Sequence, residues 1–284
     1  MNSYYFKKEK VFELLEQIQK LLKEKNRVLK KAFDLDYKEW EIRIEIEKLN
    51  QMIENIKLQE YLPKFSKQEI INGLGKILLV NNSNPYIIFN FILSCIYTNN
   101  SVCVVLEEKM LATNKTIIEL IKKSLKDLKY DENIIDYKEV ENKNEIISIQ
   151  DNYDLLYYLG NKEEYLNFIK RIHIDSKFEN FGEIYVYMDN KIFKDYVINI
   201  DKLAYINEIT VHYYNTDFKD AVNKINQKNN INKISIIFTT DLDKAYEFVK
   251  KIKSEKTYIN KEIKEEDIYE ININDMVFKK KIFS

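Results

Sequence analysis

The sequence predicts an α/β protein built on a Rossmann-like, doubly wound and mostly parallel sheet. Two observations carry this expectation. From Ser66 onward, short continuous runs of β-branched and aliphatic residues alternate with longer helical stripes, and the second half repeats that alternation with different lengths. The composition agrees: 284 residues, 45% hydrophobic and 32% charged, can bury a large core and suit a soluble globular chain. Right-handed crossovers would then cover the sheet on both faces.

Before Ser66 the pattern is helical. Val11, Leu14, Leu15, Ile18 and Leu22 form one stripe, and Ile42, Ile46, Leu49, Ile53 and Ile56 form another. Asp36 with Glu39 makes an Asp-x-x-Glu variant of the capping box at the start of the second stripe. Two helices are expected over residues 10 to 62, as a hairpin packed on the rest of the protein or as a free coiled coil for a partner. "SKQE" at Ser66 is a second capping box, predicting a short helix that ends near Gly73.

"KILLVNN" from Lys76 then reads as a buried strand, followed by a helix from Pro85 to Thr98 and a strand from Val102 to Leu106. A helix from Thr113 to Leu128, a strand over Ile134 to Val140, the strand "DLLYYLG" from Asp154 and a helix from Lys162 continue the series. In the second half, "EIYVYMD", "EITVHYYN" and "KISIIFTT" read as strands, and "KIFKDYVINI" and "DFKDAVNKIN" as helices. "FTTDLDKAYEFVKKIKSEKTYIN" is a strand end, a turn, a helix and a second short strand. After it, "IYEININ" and "MVFKKKIF" are candidate strands of a terminal arm. The chain therefore divides into an N-terminal helical segment (1–65), a Rossmann-like core (66–190), a reduced second α/β domain (191–260) and a C-terminal strand arm (261–284).

Charge and composition narrow the function classes. Lys and Arg number 45 against 46 Asp and Glu, interspersed, so no footprint for nucleic acid is expected. The 21 tyrosines are spread evenly and lack a basic groove, so they read as composition and core packing. The most apolar run, "PYIIFNFILSCIYT", is about half to two thirds of a bilayer span, and the N-terminus has no signal-peptide pattern; no membrane role and a cytoplasmic location are expected. Cys95 and Cys103 lie in apolar runs, where a buried small hydrophobe is expected and neither a disulfide framework nor a metal site. Four glycines leave few places for a phosphate to approach the backbone. His173 and His212 read as structural or surface histidines.

The segment "DFKDAVNKIN" with "ISIIFTTDLDKAYEFVKKIKSEKTYIN" resembles the stretch near the C-terminus of the aldehyde dehydrogenase superfamily, where an "FTxDLxxAxxF" strand and helix lead to a "YVN" strand. Phe238, Thr239, Asp241, Leu242, Ala245, Phe248, Tyr258 and Asn260 fill those places. "GKILLVNNSNPYIIFNFILSCIYTNNSVCVVLEE" is similar to the first βαβ unit of that superfamily, with Asn84 and Pro85 closest to the CoA-acylating branch. "IYVYMD" and the helix after it resemble γ-glutamyl phosphate reductase. The resemblance implies a sheet of aldehyde-dehydrogenase type with a much reduced catalytic domain, and an oligomerisation arm after Asn260.

Members of the superfamily act through a cysteine thiolate that divides hydride and acyl transfer into two steps. No cysteine follows Cys103, and the interval from Asn190 to Asp217 is too short for the family's catalytic segment. Asn84 matches the asparagine that helps form the oxyanion hole; read locally, it is a turn or cap asparagine before a Pro-initiated helix. Glu179 in "FENFGE" falls at the family's general-base glutamate, with Gly182 at the second glycine of an "ELGG" pattern and Phe181 at the first; the alternative is a solvated loop glutamate. Gly160, with Asn161 beside it, stands at the first glycine of the cofactor motif "TGSxxxG", and Tyr165 stands at the second. The ribose-contacting lysine or arginine aligns with Val105 or a neighbour, and the "ExFGP" glutamate and glycine align with Ala204 and Asn207. The resemblance therefore implies a non-catalytic relative, without a cofactor, that oligomerises with itself or with an active family member. The alternatives are an NAD(P)-dependent reductase of an acyl phosphate or acyl-CoA that uses Asn84 and Glu179, and a small-molecule module in the former cofactor crevice.

Overall fold

The computed structural model describes residues 8–40, 44–58, 69–80, 84–141, 143–160, 162–180, 183–189, 198–201, 209–227, 232–261, 263 and 276–281. The chain forms two compact units. The first comprises Met1–Tyr158, Phe168–Lys177 and Tyr269–Ser284, and the second Leu159–Asn167 and Phe178–Ile268.

Three helices open the first unit: α1 (Lys8–Glu24), α2 (Asn26–Trp40) and α3 (Ile46–Leu58). Leu14, Leu15, Ile18 and Leu22 of α1 are fully buried, as are Leu49 and Ile53 of α3. These stripes pack on the unit itself: α1 lies on α3 and on α5 (Leu111–Asp127), α2 on α5, and α3 on α4 (Pro85–Tyr97). The expected pair is thus a trio, and Asp36 does not start a helix. It sits inside α2, and its carboxylate accepts a hydrogen bond from the Thr113 N–H at 2.7 Å. There it caps α5, whose own N-cap position, Met110, is left-handed (φ 55°) and offers no side-chain bond. A buried carboxylate at a helix N-terminus meets both an orphan N–H and the positive end of the dipole.

The first sheet holds β2 (Lys76–Val80), β3 (Ser101–Leu106), β4 (Ile135–Glu139), β5 (Leu155–Gly160) and β6 (Ser176–Asn180), in the order β4-β3-β2-β5-β6, with β2, β3, β4 and β5 parallel. Ile77 registers with Val102 on one side and Leu155 on the other, so β2 is central. Its continuous apolar run fits a strand buried on both faces. The run weighed above against a bilayer span is α4, apolar all round because it packs on β3, α3 and α5. No described helix is long and apolar enough to cross a membrane.

Residues 69–73, expected to end a helix, form strand β1 (Glu69–Gly73) instead. It pairs antiparallel with β11 (Val277–Lys281), from Glu69 opposite Lys281 to Gly73 opposite Val277. The capping-box pattern at Ser66 is local, and pairing with a strand some two hundred residues away overrides it. Gly73 has a steric role: a Cβ there would lie 2.6 Å from the Asn99 carbonyl oxygen and 2.7 Å from that of Thr98. Asn100, 2% exposed, ties this corner together. Its amide donates to Thr98 Oγ1 and to the Met276 carbonyl, each at 2.8 Å, and its oxygen accepts from Gly75 N at 3.0 Å. The candidate strand "IYEININ" lies outside the described residues, so β11 is the part of the terminal arm that can be described, and its partner is β1.

The second unit is a parallel sheet of β7 (Glu183–Met188), β8 (Thr210–Tyr214), β9 (Asn232–Phe238) and β10 (Ser254–Ile259), in the order β10-β9-β7-β8. Helices α7 (Phe218–Gln227) and α8 (Leu242–Lys251), numbered after α6 (Lys162–Ile169), contribute to one core. In it Tyr185, Tyr187 and Ile237 of the sheet meet Phe218, Ala221, Val222 and Ile225 of α7 and Phe248 of α8. Asn226 joins the helix ends by donating to the Lys251 carbonyl at 2.7 Å and accepting from Lys253 N at 3.1 Å. Of the expected helix "KIFKDYVINI", residues 198–200 are described and helical.

Candidate functional site

In an open α/β sheet, ligands bind beyond the carboxyl ends of neighbouring strands whose connections leave in opposite directions. In the first sheet those strands are β2, which leads to β3, and β5, which leads to β6. Beyond β2 stands Asn84, 4% exposed, with its backbone extended (φ −68°, ψ 119°) and Pro85 opening α4. Its side-chain oxygen accepts from Tyr86 N at 3.0 Å and Ile87 N at 3.4 Å. Proline has no N–H, so the first turn of α4 has spent its backbone donors on its own cap. That is the local role the sequence allows for Asn84.

The other residues named from sequence fall as follows. Gly160 is the buried last residue of β5, and Asn161 lies outside the described residues. The backbone of Glu179, expected in a loop, belongs to β6, the strand at the edge of the first sheet. Tyr165 lies in α6. Beyond β3, where the resemblance calls for a base, the chain reads Glu107-Glu108. A dinucleotide needs free N–H donors and close backbone approach for its pyrophosphate. Of the helix N-termini that follow this sheet's strands, the first turn of α4 is self-capped and the Thr113 N–H of α5 is held by Asp36; at α6, where the resemblance places the pyrophosphate, Tyr165 stands at the second glycine position.

A thiolate nucleophile is also missing from both cysteines. Cys95 in α4 is fully buried, and burial pushes its thiol well above the ordinary range. Cys103 in β3 is 1% exposed; burial raises its thiol too, against an opposing hydrogen bond with Tyr153. Reactive cysteines need the opposite setting, exposed and electropositive.

The second sheet has its own switch point, because β7 leads to β8 on one side and β9 to β10 on the other. Polar residues converge there, and they bond to one another. Thr239, just past β9, donates its hydroxyl to Asp189 Oδ2 at 2.8 Å, just past β7. Lys244 of α8 donates to the same oxygen at 2.7 Å. Asn260, just past β10, accepts from Thr239 N at 2.9 Å and donates to the Thr239 carbonyl at 2.7 Å, held in a left-handed conformation (φ 48°). Asp241 caps α8 through Lys244 N at 3.1 Å and donates its own N–H to Thr239 Oγ1 at 3.1 Å. The bond from Lys244, with help from Thr239, holds the Asp189 carboxyl below the usual range, and Asp189 in turn raises the Lys244 ammonium. Asp189 and Lys244 thus stand as an ion pair, with Thr239 bonded to the same carboxylate oxygen. Sequence reasoning picked out Thr239 and Asn260 as motif positions and missed Asp189 and Lys244; the aspartate closing "YVYMD" is the signal that was available.

A second polar grouping lies on the helix-covered face of that sheet. Thr257, Ser235, Tyr185 and His212 register across all four strands. Tyr185 donates to Glu183 at 2.5 Å and stacks on His212 at 4.9 Å between ring centres, and His212 Nε2 stands 3.4 Å from Glu183 Oε1. Burial foremost, then Glu183, drives the Tyr185 phenol far above its ordinary range. Among the described residues, no group of three or more His, Cys, Asp and Glu side chains could hold a metal ion.

The sequence matches no family model and no curated protein. The structure does have relatives. A probable aldehyde dehydrogenase from Listeria monocytogenes superposes with a TM-score of 0.67 at 9% identity, over 96% of this chain and 92% of that one. Aldehyde dehydrogenase 21 from Physcomitrella patens gives 0.66 at 11% identity, over 96% and 85%. A γ-glutamyl phosphate reductase from Thermotoga maritima gives 0.63 at 11%, over 90% and 84%. This chain has the fold those proteins share, the aldehyde-dehydrogenase fold, with parallel sheets flanked by helices.

Proposed function

We propose that this chain is a non-catalytic protein of aldehyde-dehydrogenase fold that works by associating with itself or with an active protein of the same fold. The observation that carries the proposal is the fate of the nucleophile: no cysteine follows Cys103, and both cysteines are buried with their thiols held protonated. The closed network at Asp189 and Thr239 supports it, since the second switch point is filled by the protein's own bonds. The reductase alternative has less support, because it needs a bound hydride donor and Tyr165 stands at the second glycine of the cofactor motif.

The β1–β11 ribbon is the surface this role favours. Among the described residues it has two strands, each paired to the other along one edge. A two-stranded ribbon is marginal alone and gains most from a further strand. The N-terminal helices are less suited to the role, because their apolar stripes are spent on α4 and α5. Light scattering on the full chain and on a chain lacking residues 277–284 tests this. A dimer or larger assembly that the truncation dissociates supports the proposal. A monomer throughout, with no complex formed with purified aldehyde dehydrogenases of the same host, overturns it.

A further inference from the structure

On α8 the apolar face is wider than the surface it covers. Ala245, Phe248 and Ile252, just past the helix, are buried. Leu242, Tyr246 and Val249, spaced by four and three residues, form a second stripe along the flank, and they are 68%, 63% and 42% exposed. Scattered exposed apolar residues are ordinary, but three aligned on one helix flank form a continuous patch.

The charges beside the stripe suggest what covers it. Asp243 and Lys250 both project from the solvent side of the stripe, one near each end, and both are exposed. Lys251 pairs instead with Glu247, and Lys244 with Asp189. In an antiparallel pair of α8 helices related by a two-fold axis near Tyr246, Leu242 meets Val249 of the second copy and the two Tyr246 rings meet at the centre. The same rotation keeps the charged flanks on one side, so Asp243 of each copy faces Lys250 of the other. A parallel pair, related by a two-fold along the helix axes, would carry the two charged flanks to opposite sides of the contact and pair neither Asp243 nor Lys250 across it. The helix is therefore self-complementary in one orientation, as an isologous interface requires.

We propose that the exposed flank of α8 docks against α8 of a second copy of this chain. This rests on the self-association reading above and names a surface for it distinct from the ribbon. Ten residues of helix, about 15 Å long and about 10 Å across, present a face on the order of 150 Å², well short of the roughly 800 Å² per partner that a standard interface buries. The contact is accordingly a weak one, or one part of a larger interface.

Sedimentation equilibrium over a wide concentration range tests it, using the full chain, Asp243→Lys, Lys250→Asp and the double exchange. Either single change places like charges together at both ends of the two-fold contact and should weaken dimerisation roughly tenfold. The double exchange restores opposite charges and should recover the original affinity; a purely structural effect of the substitutions would not be rescued. Dimers unaffected by the single changes, or not rescued by the double one, overturn the α8 contact and leave self-association standing. A wild-type chain that stays monomeric at every concentration overturns both.

Discussion

Replacing Asn100 by alanine removes a buried amide that makes three hydrogen bonds. The substitution leaves Gly75 N–H without its 3.0 Å acceptor and the Met276 carbonyl without its 2.8 Å donor, while Thr98 Oγ1 keeps its own bond to the Ser94 carbonyl. Leaving a buried polar group unsatisfied costs about 1–3 kcal/mol. The buried Met276 carbonyl and the part-buried Gly75 N–H together put the expected loss at about 2 kcal/mol, a large share of the roughly 5–15 kcal/mol that holds a domain together. The loss has a location as well as a size, because Met276 enters β11 and Gly75 leaves β1. Urea unfolding gives the magnitude, and hydrogen exchange of the β1 and β11 amides gives the place. A loss below about 0.5 kcal/mol, with ribbon protection unchanged, would refute the assignment of Asn100 as the anchor of the C-terminal strand.

Three further outcomes follow from the same geometry. Asn260→Ala should cost about 2–4 kcal/mol, from two lost bonds plus a left-handed backbone, and Asn260→Gly should recover about 1 kcal/mol of it; equal losses in urea unfolding would contradict the backbone share. Asp36→Ala should cost about 1–2 kcal/mol and raise exchange in the first turn of α5, whereas exchange changes confined to α2 would show that the cap is misassigned. Asp189 titrates below its ordinary range in the folded state, so its contribution is present above about pH 4 and is lost as pH falls through the folded value. Asp189→Asn should therefore flatten the acid limb of stability below about pH 4, and an identical limb in urea midpoints between pH 2 and 7 would argue against the Lys244 pairing.

What the sequence made legible was what adjacent residues decide. β2, α4, β3, α5 and β5 carry their own periodicity, and so do α7, β9 and α8, so all were expected close to where they lie. What it hid was set at long range. Asp-x-x-Glu at Asp36 is a sound capping pattern, yet the carboxylate serves Thr113 on another helix, and no local rule says which N-terminus an aspartate will reach. "EIING" became a strand because β11 lies beside it and Gly73 lets the Thr98–Asn99 turn approach. At the second switch point the motif named Thr239 and Asn260 without revealing that they clamp each other, and Lys244 looked like any lysine on an amphipathic helix. Asn84 was the most legible site residue, because capping and oxyanion stabilisation call for the same side chain at the same turn. Its bonds to Tyr86 and Ile87 realise the capping role.

The most direct test of a non-catalytic role is thermal unfolding of the full chain with NAD⁺, NADP⁺, NADH, NADPH and CoA, each near a millimolar concentration. A ligand at about a hundred times its dissociation constant adds roughly 2.7 kcal/mol and raises the midpoint by several degrees. With no cysteine after Cys103 and a tyrosine at the second glycine of the cofactor motif, the midpoint should stay unchanged with all five. A shift of several degrees with any nicotinamide cofactor would contradict the account and restore an enzyme.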